Sequence, residues 1–231
     1  MALILNLETA TDICSVALAE DGELIAFREL QTLNHAGQLT LFIEECLAEA
    51  RFKMTDLSAV AISNGPGSYT ALRVGSSTAK GICYALDVPM IAIDTLESLA
   101  QATFDAVGDV DAFYCPMIDA RRLEVYGAIF SYDTEGSLSI VEETQPIIVD
   151  AHSFDAHFSA GRKIIFSGNG ADKCRPILAH ELARFHHTNC SAKHLVKLSF
   201  AAFKKLQFIN VAYHTPKYLK APNITTPKKI F

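Results

Sequence analysis

Short blocks of apolar residues give way to helical spacing and back again along this chain, and that rhythm predicts most of its elements. Residues 3–7, 13–18 and 24–29 are apolar enough for three strands, the last two joined through the hairpin signal Asp21-Gly22. Between the first two runs the polar connection Glu8-Thr9-Ala10-Thr11-Asp12. Over residues 35–51 the period changes to that of a helix. Leu39, Phe42, Ile43, Cys46, Leu47 and Ala50 share one face, while Leu41 and Ala48 widen the stripe beyond what a one-sided surface helix needs. Residues 57–63 form a buried strand, followed by the turn Asn64-Gly65-Pro66-Gly67 and a helix over 70–86 carrying Leu72, Gly75, Ala79, Ile82 and Leu86. Another strand over 88–94 leads to Thr95 as N-cap of a helix through Leu96, Leu99, Ala100 and Ala102. Ser98 stands where a capping box would place Glu.

The second half opens with strands over 113–118 and 123–130 across the polar turn Asp119-Ala120-Arg121-Arg122, which either holds an anion or is a solvated hairpin tip. Residues 138–149 are weakly strand-like around Pro146, and 150–157 suit a short helix. The buried strand from Lys163 ends in Gly168-Asn169-Gly170, a second glycine turn that echoes the first and hints at a duplicated lobe. A helix over 200–206 and an extended Pro-rich tail over 215–231 complete the chain. The polar patch 105–111 divides it into lobes 1–108 and 109–231, with the tail packing back on the first. Three antiparallel strands, a polar turn and a helix are how actin-like and sugar-kinase-like lobes begin. The expected fold is therefore α/β, actin-like (ribonuclease H-like), with two lobes of mixed sheet flanked by helices.

The first glycine turn has two readings. A glycine corner feeding a helix N-terminus aims free N–H groups at an anion, which makes Gly65, Gly67, Ser68 and Thr70 candidate phosphate-turn residues. The same residues also serve a tight corner without ligand. The turn is not a Walker A loop, since Lys80 precedes Gly81 and lies mid-helix, and the dinucleotide fingerprint fails at Thr70. The two long helices likewise read either as core or as a partner-binding pair through Leu39, Phe42, Ile43, Cys46, Leu72, Gly75, Ala79 and Ile82.

Half of the 231 residues are hydrophobic and 20% charged, which describes a globular chain. Twenty Lys and Arg against 26 Asp and Glu leave a net charge of −6, so a role on nucleic acid requires a local basic patch or a basic partner. No stretch suits a membrane span, and residues 1–6 lack a basic leader, so the expectation is a cytoplasmic protein without membrane contact. The six cysteines are scattered, and Cys14, Cys46 and Cys83 fall within apolar patterns as reduced core residues. His186, His187, Cys190 and His194 either approach a zinc-ligand spacing or form a surface connection. Neither H-x-x-x-H nor G-x-S-x-G occurs. Glu8 and Asp12 either serve a metal or phosphate, as in kinase-like folds, or belong to a solvated turn.

Several of these motifs together resemble one family. Asn6-Leu7-Glu8-Thr9-Ala10-Thr11, Cys14-Ser15-Val16-Ala17-Leu18, the run from Asn64 to Thr70, Leu72-Arg73-Val74-Gly75, Asp119-Ala120-Arg121-Arg122 with Glu124-Val125-Tyr126, and Pro216-Lys217-Tyr218-Leu219-Lys220 are similar to the TsaB (YeaZ) family. The resemblance implies a dimerisation subunit of the bacterial tRNA threonylcarbamoyladenosine machinery, with an actin-like fold and no catalysis of its own. It implies pairing with the catalytic paralogue TsaD and the ATPase TsaE, a homodimer when alone, and contact with tRNA only through the complex. ATP and metal are expected in the partner subunits, with no cofactor here. The implied dimerisation surface is the pair of helices over 35–51 and 70–86. The paralogue is implied to carry an H-x-x-x-H pair after its matching strand, where this chain has Thr95 and Leu99. The first strand also lacks the Asp-x-Gly-Thr turn of actin-like kinases. An actin-like nucleotide hydrolase or kinase is the alternative, and a metallopeptidase-like glycoprotease a weaker one.

Overall fold

The computed structural model describes residues 1–220. Strands β1 (Leu3–Glu8), β2 (Ile13–Glu20) and β3 (Glu23–Gln31) form an antiparallel meander, and α1 (His35–Ala50) follows. Then come β4 (Ala59–Ser63), α2 (Tyr69–Leu86), β5 (Met90–Ile93) and α3 (Thr95–Val107). The second half contributes β6 (Phe113–Asp119), β7 (Glu124–Tyr132), β8 (Leu138–Ile148), α4 (Asp155–Ser159), β9 (Ile164–Ser167), α5 (Ala171–Cys174), β10 (Ala183–Phe185) and α6 (Ala192–Lys204). One sheet has the order β3-β2-β1-β4-β5, the other β8-β7-β6-β9-β10. The two orders are equivalent, with β1 and β6 each between an antiparallel hairpin partner and a parallel strand. The duplication hinted at by the two glycine turns is thus an architectural repeat.

Side-chain alternation on β1 explains how the first sheet is covered. Leu3, Leu5 and Leu7 face one way and pack with Leu39, Phe42, Ile43 and Cys46 of α1 and Ala79 of α2. Ile4 faces the other way, into a cluster with Leu195 and Ala202 of α6. The helix covering the second face thus comes from the far end of the chain. Reciprocally, Leu96, Leu99 and Ala100 of α3 bury themselves with Tyr114, Ile118 and Phe130 of the second sheet. A division at residue 108 therefore separates the sequence but not the packing.

Several elements differ from expectation for identifiable reasons. Asp94, not Thr95, caps α3, its carboxylate accepting from Leu96 N–H at 2.9 Å and Glu97 N–H at 3.3 Å. The last helix begins at Ala192 rather than at residue 200, because Ala192, Leu195, Val196 and Ser199 already face the first sheet. The strand expected around Pro146 does form, since β8 is an edge strand whose outer side requires no N–H. The three-residue β10 and four-residue α5 are too short to leave a periodic signal. The end of the predicted tail, residues 221–231, lies outside the described residues. No described helix is long and apolar enough to cross a membrane, and all six cysteines are buried and free.

Two glycines in and beside the long helices make opposite demands. A Cβ at Gly67 would collide with Ala10 O, whereas one at Gly81 meets nothing within 4 Å. Gly67→Ala is expected to destabilise by roughly 2–4 kcal/mol, read as a lowered denaturant midpoint. Gly81→Ala should stabilise by about 0.5–1 kcal/mol through helix propensity alone, read as a raised midpoint.

Candidate functional site

The strand ends of both sheets meet at a cleft. One wall is the β1–β2 connection and the glycine turn before α2, the other the β6–β7 turn and the loop after β9. A cavity of about 360 Å³ there is lined by Thr11, Asp12, Ser68, Asp119, Arg121 and Asn169, among others. Asn169 Oδ1 accepts the Asp119 N–H at 3.0 Å, which joins the two turns of the second wall.

The glycine turn is bound mostly to the protein itself. Gly65, at φ +98°, donates its N–H to Thr95 Oγ1 at 2.9 Å, and Thr95 returns its own N–H to Gly65 O at 3.0 Å. Thr95 Oγ1 also lies 3.0 Å from Ser63 Oγ. Ser68 donates its N–H to Ala10 O at 2.7 Å, and Thr9 Oγ1 donates to Ala71 O at 2.9 Å. Ser68 occupies the N-cap position of α2 without a side-chain capping bond. Of the four candidate phosphate-turn residues, Gly65 is buried, Gly67 packs on Ala10, and Ser68 faces the cleft. Thr70, two residues further along, is exposed and does not line that cavity. Two of the N–H groups that an anion would use are thereby occupied.

Beneath this wall lies Glu8, fully buried at the end of β1. Its Oε1 accepts Ala10 N–H at 2.6 Å, while Oε2 has no partner. Burial is the largest cause that pushes its carboxyl up to about 7, opposed chiefly by the hydrogen bond from Ala10. Asp12 and Asp119 line the cleft above it, together with Arg121.

The residues expected at a partner interface are instead core. Leu39, Cys46 and Ala79 have no exposed surface, and Phe42, Ile43 and Leu72 are buried as well. Gly75 faces Thr9, whose Oγ1 would collide with an added Cβ, and Ile82 packs on the same core. Their wide apolar stripe is used up by the first sheet and by each helix against the other. The outer faces of α1 and α2 carry other side chains. Leu41 is 44% exposed, Tyr84 88%, and Leu33, just before α1, 91%. Nothing in a helical period marks Tyr84, which lies off the core stripe.

The histidine-rich patch opens on a different cavity, of about 320 Å³, lined by Glu29, His186, His187, Cys190, Lys193 and His194 among others. His186 Nδ1 lies 2.6 Å from Thr188 Oγ1, and Cys190 is buried with its thiol pushed well up by desolvation. Desolvation, helped by Lys193, holds His194 down at about 4. Among the described residues no group of three or more such side chains is placed to hold a metal ion.

Known proteins share this chain's sequence pattern and architecture. A family model described as "TsaD: tRNA N6-adenosine threonylcarbamoyltransferase" matches residues 29–227. A curated relative from Escherichia coli, "tRNA threonylcarbamoyladenosine biosynthesis protein TsaB", is 35% identical over 63% of this chain and 62% of its own length. That match spans less than two thirds of the relative. A protein of the same description from Bacillus subtilis is 28% identical over 94% of this chain and 93% of its own. Among solved structures, YeaZ from Pseudomonas aeruginosa superposes with a TM-score of 0.78 at 24% identity, covering 95% of this chain and all of that one. The expected actin-like α/β fold is thereby established.

Glu8 gives the site a measurable signature. Its carboxyl is raised in the folded state, so the stability it permits is complete below about pH 4.5 and is lost as pH rises through about 7. Glu8→Gln should leave the melting temperature unchanged at pH 4. At pH 8 it should stabilise by up to about 3 kcal/mol, as thermal denaturation at the two pH values will show.

Proposed function

The chain belongs to the TsaB family, and on that premise we propose that it is a non-catalytic subunit in the biosynthesis of threonylcarbamoyladenosine in tRNA. In this reading it organises the catalytic paralogue TsaD, which modifies the adenosine next to the anticodon in tRNAs reading codons that begin with A. One observation carries the reading: what occupies the place where the paralogue is implied to hold metal with two imidazoles. Here Thr95 is fully buried with its hydroxyl committed to Gly65 and Ser63, and Leu99 is fully buried in the second core. An aliphatic side chain ligates nothing, and a threonine hydroxyl is a poor substitute for imidazole.

The cleft supports the same view. Two amides of the glycine turn are committed to Ala10 and Thr95 and are not free for a polyphosphate, and Asp12 lines the cavity beside them. The reading therefore assigns no cofactor to this chain and leaves ATP and metal to its partners. The exposed faces of α1 and α2, with Leu33, Leu41 and Tyr84, are the surface proposed to seat the paralogue, or a second copy when the chain is alone. TsaE joins that assembly, tRNA is met only within it, and the location is cytoplasmic.

Reconstituted tRNA modification with and without this chain tests the reading, and loss of modification on omission is the expected result. Turnover of ATP in the presence of magnesium by the chain alone would instead favour a nucleotide hydrolase or kinase. Tyr84→Glu should abolish co-purification with the paralogue while leaving the melting temperature within about 2 °C of the parent, since Tyr84 is almost wholly exposed. Gly75 and Ala79 are unsuitable for this test, because a bulky charged residue at either would disrupt the core.

A further inference from the structure

At the mouth of the cleft, outside the glycine turn's own bonds, aromatic and cationic side chains converge from three parts of the chain. Tyr69, in the first turn of α2, lies with its ring centroid 4.6 Å from that of Tyr218, the planes inclined at 41°. The Arg73 guanidinium stands 5.5 Å over the Tyr69 ring. A groove of about 190 Å³ runs from Tyr69 past Tyr126 to Arg121 and Lys220. Arg121 and Arg122 are both exposed, and both hold left-handed backbone, at φ 75° and 54°, where arginine is rarely found. The surroundings keep them there: Asp119 Oδ1 accepts Arg121 N–H at 2.8 Å, and Glu124 N–H donates to Arg121 O at 3.1 Å.

Charge at this mouth runs against that of the whole protein, which is −6. The two carboxylates present are already paired, Asp119 with Lys173 and Glu124 with Lys220. Among the described residues Arg121 takes part in no ion pair, so its positive charge remains free in a groove lined by Tyr69 and Tyr126, with Tyr218 packed on Tyr69 at the edge. Phenol faces and guanidinium groups at one groove match a ligand that alternates flat bases with phosphates.

We propose that this groove is a stacking platform for an unpaired stretch of RNA, a base lying against the Tyr69–Tyr218 pair at its edge and its phosphate held by Arg121. The proposal rests on the preceding reading, in which tRNA is the substrate of the assembly, and it names the surface this chain contributes. The acidic remainder of the chain makes the platform a secondary contact, effective once the partner subunits hold the tRNA.

The test uses the full chain in complex with the catalytic paralogue and labelled tRNA, with affinity measured over a range of salt concentration. Tyr218→Ala should weaken binding roughly tenfold, and Tyr218→Phe should restore it, because stacking needs the ring and not the hydroxyl. Arg121→Gln should lower the log–log salt slope by about one, the phosphate it no longer neutralises. Co-purification with the paralogue and the melting temperature should be those of the parent in every case. Parental affinity and slope in all variants would overturn the platform, even where modification still depends on the chain. Variants that lose the paralogue yet keep tRNA affinity would also overturn it, by making the groove a protein-binding surface. Full modification without the chain would instead bring down the underlying reading, whatever the variants do.

Discussion

Both sheets depend on an exchange of helices. A mixed sheet of this kind has two faces to bury, and neither half of the chain supplies enough helix nearby to cover both of its own. The structure solves this by sending α3 across to the second sheet and α6 back to the first. Each exchanged helix is fixed by a buried hydroxyl. Ser199 of α6 donates to Asn6 Oδ1 at 2.6 Å, and Thr103 of α3 donates to Ser167 Oγ at 2.8 Å. Asn6 lies mid-way along β1, whose neighbours also accept its amide, at Ile4 O and Ala17 O. Losing Ser199 would strand a buried carbonyl oxygen at the centre of the sheet, where such groups are costly. The exchange also ties together the two sheets whose strand ends line the cleft.

The parts of this architecture that could be read from the sequence are those decided locally. Buried strands such as β4 and β9 are continuous apolar runs, and the Asp21-Gly22 turn holds both residues at positive φ, as the hairpin signal requires. The exchange could not be read, because helical periodicity says that a face is buried and not against what. The same limit explains the misplaced interface. The stripe of Leu39, Phe42, Ile43 and Cys46 looks surplus only if α1 covers one neighbour, whereas it packs against the sheet and α2 together. The fold was therefore legible as a class, and the surface it leaves free was not.

At the cleft, sequence located the glycine turn and left its chemistry open, for a reason that is visible in the bonds. The partners of Gly65 and Ser68 are Thr95 and Ala10, the first 30 residues away and the second on a different strand connection. Whether an amide at a helix N-terminus is free for an anion depends on such distant neighbours. Tyr69 and Tyr218 make the same point from the other side. Their stacking joins the start of α2 to the last described stretch of chain, and neither local pattern implies it.

That last stretch also bears on what the cleft can do. Lys217 N–H donates to Asn64 O at 2.8 Å and its ammonium reaches Asp94 at 2.8 Å, both on the first-sheet side. Three residues later Lys220 pairs with Glu124 of the second sheet's hairpin. The segment thus straps one wall of the cleft to the other. Closing the lobes on a ligand, as hinge enzymes do, would require the strap and the packing of the two exchanged helices to rearrange together.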